Sequence, residues 1–522
     1  DDGLVHTSRD SGKNWQDITP LDLPEWSYIF CIETSLHDPE TIFLSATRYK
    51  LNDYRPLIYK STDSGQNWSS INGDYPKTEI SRVIREDPTC PGLLFVGSET
   101  GIFMSNNFGK NWFKLGGNFP VVPVYDLKIK QDDLVVGTHG RSFWILDDLT
   151  PLRKFARKSS ANKKRESDDV QFFPPRTTFR RTLNWSVNLF FGDGKNYSPD
   201  FGMPGTHYEE TTPEGEKRLR YLDMGENPPE GVIVNYFMES VPQEILELVI
   251  LDAGGKVIER FSSKLSNSDP KEKDDKQEDD KPSLPTKLGF NRFVWNMRYP
   301  GPEVKIDKAL EKPGYKQLGR DTPFGDGSDS GPTAPPGKYQ VQLKTGKTKI
   351  THSFEITKDP RLETSAEDFA LQFELWSKIG NQVSATNSAI NKVRKINLQI
   401  TELLSRVIFT KSAPGKSLIA VRKAANSLRK QLSTIENQLI QNQYETPSDR
   451  LRHPTMLKER MEALVSVVSV SDAAPPQQAF AVYEELRIQI ETQLTQLKML
   501  EEKELPQLNK QIEQVGTPML QA

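Results

Sequence analysis

Two short stretches of this 522-residue chain put side chains of different chemistry close together. Thr138-His139-Gly140-Arg141 sets an imidazole and a guanidinium on a glycine-bearing turn, with Phe143 and Trp144 following. Arginine clamps a carboxylate through two parallel N–H bonds, and histidine titrates near neutral pH. The competing role is structural, with the turn closing its domain and pairing with Asp147 or Asp148. The second stretch runs Arg48-Tyr49-Lys50-Leu51-Asn52-Asp53-Tyr54-Arg55-Pro56 and mixes aromatic with basic residues. Recognition surfaces favour those types, and a packed loop sealing one face of the domain is the alternative. The candidate binding residues are therefore His139, Arg141, Arg48, Tyr49, Tyr54 and Arg55.

No complete catalytic set accompanies them. GxSxG, HExxH and the phosphate-cradling P-loop are all missing. Cys31 and Cys90 stand apart from any CxxC or Cys/His cluster, which argues against zinc. The run from Asp269 to Ser283 mixes both charge signs and reads as a solvated loop. The segment around Gly325 lacks the spacing and terminal glutamate of a calcium loop. Neither a metal nor a cofactor is expected. With 68 basic and 71 acidic residues the net charge is −3, so no field draws in a nucleic acid. No apolar run reaches the roughly 18 residues of a membrane span.

What positions the candidates is a repeat. Ser8, Asp10, Gly12 and Trp15 recur as Ser61, Asp63, Gly65 and Trp68, then as Ser105, Asn107, Gly109 and Trp112. The pattern is S-x-[DN]-x-G-x-N-W, with steps of 53 and 44 residues. The Asp or Asn closes a tight turn by accepting backbone N–H groups, and the glycine permits positive φ. The tryptophan is expected to anchor the next strand in the core. Asp38-Pro39 and Asp87-Pro88 mark further turns ahead of apolar strands. Each repeat thus reads as four short antiparallel strands, which is a propeller blade.

These boxes resemble the Asp-box, or bacterial neuraminidase, repeat of β-propellers in sialidases, xyloglucan-type glycoside hydrolases and sortilin-like receptors. The nearest likeness is to bacterial sortilin-like or "glycosyl hydrolase" repeat proteins. It extends to VVGTHGRSFWILDDLTPLR from Val135, which is similar to that family's last propeller strands. The resemblance implies a partial β-propeller over residues 1–153, about its last three blades, with structural boxes lying away from the ligand face. Asp1-Asp2-Gly3 aligns with the hairpin at Ser98-Glu99-Thr100-Gly101, so the chain begins inside a blade. A closed propeller needs about four blades or more. The expected partner is therefore an upstream propeller segment, in the same polypeptide or a separate chain.

Residues 154–180 are polar at first and read as a linker. Over 181–359 strand signals return, including a hairpin at Ala253-Gly254-Gly255-Lys256, and their spacing predicts an Ig-like β-sandwich with a disordered loop at 266–285. From 360 to 522 the pattern turns helical. Ile379, Val383, Thr386, Ile390, Val393, Asn397, Ile400, Leu404 and Val407 form one heptad seam. Val421, Ala425, Leu428, Leu432, Ile435 and Leu439 form a second after a Pro-Gly break, predicting an antiparallel helical bundle or hairpin. The fold class expected is mainly β with a C-terminal α region. The function expected is a secreted, periplasmic or cell-surface binding or scaffold module for peptide, protein or glycan. The alternatives are a glycoside hydrolase with its catalytic residues upstream, and a subunit docked through its C-terminal helices.

Overall fold

A computed structural model describes residues 2–160, 170–181, 196–200, 203–211, 217–222, 229–242, 244–263, 282–310, 330–346, 348–407, 415–444, 449 and 451–514. The fold is mainly β, with several small sheets and a C-terminal helical region. It divides into two compact units, the first comprising residues 1–176, 235–240 and 288–290. No described helix is long and apolar enough to cross a membrane.

The repeated turn is built from the same hydrogen bonds each time. The serine Oγ accepts from the glycine N–H at 2.7, 2.8 and 2.8 Å in the three copies. It donates to Oδ1 of Asp10, Asp63 or Asn107 at 2.8, 2.8 and 3.1 Å. That Oδ1 also accepts from the backbone N–H four residues on, at 2.9, 2.8 and 2.9 Å. The second carboxylate oxygen of Asp10 and Asp63 accepts from the Asn14 and Asn67 side chains at 2.6 and 2.7 Å. Asn107 carries an amide there, so it donates instead, to Asn111 Oδ1 at 3.0 Å. Both the glycine and the residue before it take positive φ in every copy, as at Ser64 (57°) and Gly65 (87°).

Each later box grips the repeat before it. Trp68 Nε1 donates to the Ile18 carbonyl at 2.6 Å, and Trp112 Nε1 donates to the Ile71 carbonyl at 3.0 Å. Ile18 and Ile71 each stand three residues beyond the preceding box tryptophan. The same isoleucines press on the box glycines. A Cβ on Gly65 would lie 2.5 Å from Ile18 Cδ1, and one on Gly109 would lie 2.7 Å from the Ile71 carbonyl oxygen. This corrects the expectation that every box tryptophan is buried. Trp112 is 7% exposed and Trp68 is half-buried, but Trp15 is 65% exposed. The indole's socket is the isoleucine three residues beyond the preceding box tryptophan.

These turns connect short strands. β1 (His6–Thr7) pairs with β2 (Gln16–Asp17). β3 (Tyr28–Thr34), β4 (Ile42–Arg48), β5 (Asp53–Ser61) and β6 (Ser69–Ser70) form a four-stranded antiparallel meander. β7 (Ser81–Glu86), β8 (Leu94–Ser98), β9 (Ile102–Ser105) and β10 (Phe113–Lys114) repeat it. The Asp-Pro turns join the first two strands of each. β11 (Val124–Lys130), β12 (Asp133–Thr138) and β13 (Phe143–Leu146) make a three-stranded sheet. α1 (Thr150–Ser160) follows, and β14 (Val170–Phe172) pairs with residues 236–238.

The segment 154–180, expected as a linker, is structured wherever it is described. Residues 154–160 complete α1, and two strands lie beyond. Tertiary partners overcome the polar composition. Arg153 Nε binds the fully buried Asp87 at 2.8 Å, its Nη1 binds Asp132, and Phe155 packs on Phe237 at 5.3 Å.

The second unit holds a five-stranded sheet in the order β15 (Thr178–Arg180), β24 (Thr348–Lys358), β23 (Gly337–Thr345), β20 (Glu247–Asp252), β21 (Val257–Ser262), with only the β15–β24 pair parallel. β16 (Asn196–Asp200), β17 (Met203–Thr211) and β18 (Lys217–Tyr221) form another sheet; β14, β19 (Val232–Met238) and β22 (Gly289–Trp295) form a third, in that order. Of the loop expected at 266–285, residues 266–281 lie outside the described residues, as do 324–329 near Gly325. α2 (Ala366–Val407) starts at a reciprocal cap in which Ser365 Oγ accepts the Asp368 N–H and Asp368 Oδ2 accepts the Ser365 N–H. α3 (Gly415–Leu439), α4 (Leu457–Ser469), α5 (Gln477–Met499) and α6 (Leu505–Glu513) share one apolar core with it. The buried Arg180 guanidinium ties β15 to the helices through Asp472 at 2.7 Å and Gln372 at 2.5 Å.

Two outcomes test the box-to-repeat grip. Ile71→Ala keeps the carbonyl acceptor but empties the packing, and should destabilise the first unit by about 2–5 kcal/mol in denaturant unfolding. Hydrogen bonds from Asn14, chiefly its backbone N–H, hold Asp10 down to about 2, and bonds from Asn67 likewise lower Asp63. Their contribution is therefore complete above the ordinary 3.8 and lost as pH falls through the folded values. Asp10→Asn with Asp63→Asn should flatten that acid limb without unfolding the protein at neutral pH, as Asn107 already does in the third box. An unchanged acid limb counts against this assignment.

Candidate functional site

β3, β7 and β11, each the first strand of its sheet, carry a register slip at corresponding places. Phe30 is left unpaired between Ile29 and Cys31, Arg82 and Val83 between Ser81 and Ile84, and Tyr125 between Val124 and Asp126. A bulge redirects the side chain it leaves unpaired. Here the three bulges converge. The Arg82 guanidinium lies 4.4 Å from the Tyr125 ring, 5.4 Å from Phe30 and 5.3 Å from Tyr49. Its Nε and Nη2 both donate to Glu99 Oε2, at 3.0 and 2.6 Å.

The buried cation sits beneath exposed rings. The Arg82 side chain is 4% exposed, against 46% for Glu99. Tyr125 stacks on His139 with centroids 4.8 Å apart and 24° between planes. Phe30 meets Tyr125 and Tyr28 edge-on at 5.7 and 5.9 Å, and Lys50 Nζ stands 5.6 Å from the Tyr28 ring. The result is a ring platform edged by an ammonium, an imidazole and a carboxylate. Such a surface offers apolar faces, donors and an acceptor within one patch.

Arg85, on the same strand, joins the neighbouring first strands. It donates to the Leu127 carbonyl at 2.8 Å, Cys31 Sγ at 2.8 Å, Glu33 at 3.3 Å and Asp126 at 2.9 Å. One guanidinium thus holds two carboxylates from different strands. Burial raises the Glu33 carboxyl above its ordinary 4.5, with Arg85 opposing the shift. Burial likewise raises the Cys31 thiol, with Arg85 opposing the shift. Among the described residues no group of three or more His, Cys, Asp or Glu could hold a metal ion.

Of the residues singled out from sequence, Tyr49 and His139 reach the Arg82 cluster from opposite stretches of chain. Arg48 and Arg55 both bind Asp53, at 3.1 and 2.7 Å, so the hairpin fastens itself. Tyr54 and Arg141 are exposed and form no contact with the cluster. Asp148 accepts the Thr150 N–H at 3.0 Å at the start of α1. Arg82, Glu99, Phe30, Tyr125, Tyr28, Arg85, Glu33 and Asp126 escape a sequence reading, because nothing in the letters announces a bulge.

No protein-family description matches the chain, and no curated protein matches it. It is similar to solved β-propeller glycoside hydrolases. A GH74 xyloglucanase from Xanthomonas campestris shares 15% identity over 45% of this chain and 40% of that one, with a TM-score of 0.22. An ancestral GH74 enzyme shares 12% over 50% and 30%, with a TM-score of 0.21. The GH74 enzyme of Niastella koreensis shares 10% over 63% and 46%, with a TM-score of 0.19. The chain spans less than half the length of each.

The electrostatics of Arg85 can be read directly. Arg85→Leu removes the cation that opposes burial at Glu33, so its carboxyl should titrate higher still. Carbon-13 NMR of the labelled side-chain carboxyl measures this, and a Glu33 that titrates unchanged or lower refutes the coupling.

Proposed function

We propose that the first unit is part of an Asp-box β-propeller and works as a binding module for an oligosaccharide. In this reading each four-stranded sheet is a blade, the two box grips are blade-to-blade contacts, and α2 to α6 are an antiparallel bundle. The observation that carries it is the convergence of Phe30, Arg82 and Tyr125 from three bulged first strands. A pyranose ring has apolar C–H faces and a hydroxyl edge. Tyr125, Tyr28 and His139 supply ring faces, and Glu99 and Lys50 supply an acceptor and a donor beside them. Buried Arg82 keeps the rings in place rather than meeting the ligand.

Calorimetric titration with xyloglucan and cello-oligosaccharides tests the proposal. Tyr125→Ala should weaken binding about tenfold, in line with the roughly 0.5–1.5 kcal/mol of an aromatic contact plus its buried area. His139→Ala should weaken it less, and Asp10→Asn, in a distant turn, not at all. Failure of every oligosaccharide to bind, with a short peptide saturating the site instead, would replace the glycan by a peptide.

A second reading, hydrolysis, is favoured by the Glu33–Arg85–Asp126 arrangement. One raised carboxyl and one exposed carboxylate, on the strands either side of β7, match the division between acid and base in glycoside cleavage. Glu33→Gln and Asp126→Asn should each abolish release of reducing ends from xyloglucan under this reading. Turnover that survives both substitutions eliminates it.

A further inference from the structure

The second unit contains a small cavity beside a buried indole N–H that has no acceptor. Its wall is made where residues 297–300 run antiparallel to residues 331–334. Tyr299 N–H donates to the Pro332 carbonyl at 2.9 Å, and Ala334 N–H donates to the Met297 carbonyl at 2.6 Å. This pair approaches so closely that a Cβ on Gly331 would lie 2.0 Å from the Tyr299 carbonyl oxygen. The opposite wall is one face of α2, with Trp376, Gly380 and Val383 at helical spacing, closed by Val465 of α4. The pocket, partly open to solvent, holds about 140 Å³. That is close to the roughly 150 Å³ of an apolar cavity known to hold benzene.

Three features mark it as more than a packing gap. Trp376 is 4% exposed, and its indole N–H has no acceptor. A buried donor without a partner costs free energy and asks for one. The Arg298 guanidinium lies 5.4 Å from the Trp376 ring and donates to the Gly331 carbonyl at 3.1 Å, so it touches two lining residues. Among the described residues no carboxylate comes within ion-pair distance of it, although Glu230 acts on it from further away. Burial, with the charge of Arg180 added, pulls the Arg298 guanidinium below its ordinary value. The third feature is Gly380. It interrupts a long helix at a position where a Cβ would meet nothing within 4 Å. Glycine disfavours a helix interior, and here it leaves the cavity open.

We propose that this cavity is a binding site for a small monocarboxylate. The ligand's carboxylate pairs with the open N–H groups of Arg298, which match it in charge and fork geometry. Its apolar part lies against Trp376, Tyr299 and Val465. A small shift of the indole lets its N–H donate to the same carboxylate. The site is independent of the glycan-binding reading and shares no residue with it.

The test uses benzoate as probe and benzamide as its neutral counterpart. The indole N–H resonance that disappears in Trp376→Phe serves as reporter in nitrogen-15 NMR of the full chain. Benzoate should shift that resonance saturably, and benzamide should bind at least tenfold more weakly. Arg298→Met should weaken benzoate by a similar factor. Should Arg298→Met fail to fold, Gly380→Leu decides the matter, because it fills the cavity from a helix position with open space at its Cβ. It should abolish the benzoate shift and leave the melting temperature unchanged or higher. The proposal is overturned if benzoate leaves the resonance unmoved, if benzamide binds equally well, or if Gly380→Leu still binds benzoate.

Discussion

The first unit depends on one contact made twice. A box tryptophan donates its indole N–H to a backbone carbonyl of the preceding repeat, and the isoleucine bearing that carbonyl packs on the box glycine. A short repeat has too little apolar surface to stand alone, so neighbours must bury it for one another. The box supplies the geometry. Its internal hydrogen bonds force two successive residues into positive φ, and that sharp reversal carries the tryptophan back to its neighbour. Asn107 shows which part of the chemistry is essential. An uncharged acceptor keeps the backbone bonds, while the bond to the following asparagine simply changes direction.

Linking the repeats in this way brings their first strands together. Arg82 and Arg85 on β7 then reach the strands on either side, one through aromatic rings and the other through carboxylates, a thiol and a carbonyl. A guanidinium suits both tasks because it is flat, permanently charged and able to donate in several directions. The bulges matter as much as the arginines. Without a slip at Phe30 and Tyr125 those rings would follow the ordinary alternation of the strand.

Arginine also organises the second unit, where two cases stand in contrast. Arg180 is buried with Asp472, Gln372 and the Thr333 and Ala334 carbonyls around it, and its charge is fully answered. Arg298 has one carbonyl and one indole face. A buried cation is tolerated when its donors are met; Arg298 is half-buried and keeps N–H groups that no acceptor among the described residues takes up.

The sequence by itself determined the box turns, the Asp-Pro turns, the order of strands in the two four-stranded sheets and the seams of α2 and α3. All of these rest on residues within a few positions of one another. Ser61, Asp63 and Gly65 close their turn whatever lies elsewhere, and Val421 to Leu439 fall on one helical face by spacing alone. Only the tertiary structure decided the rest. Trp15 and Trp112 occupy the same place in the same motif, yet one is exposed and the other buried, because the socket belongs to another repeat. The polar residues after Arg153 became helix because Asp87, distant in sequence, holds that arginine. Tyr49 and His139 were visible as candidates, but Arg82, which joins them, was not. A cluster of this kind is set by strand pairing and bulges across repeats, and those depend on distances that no local pattern records.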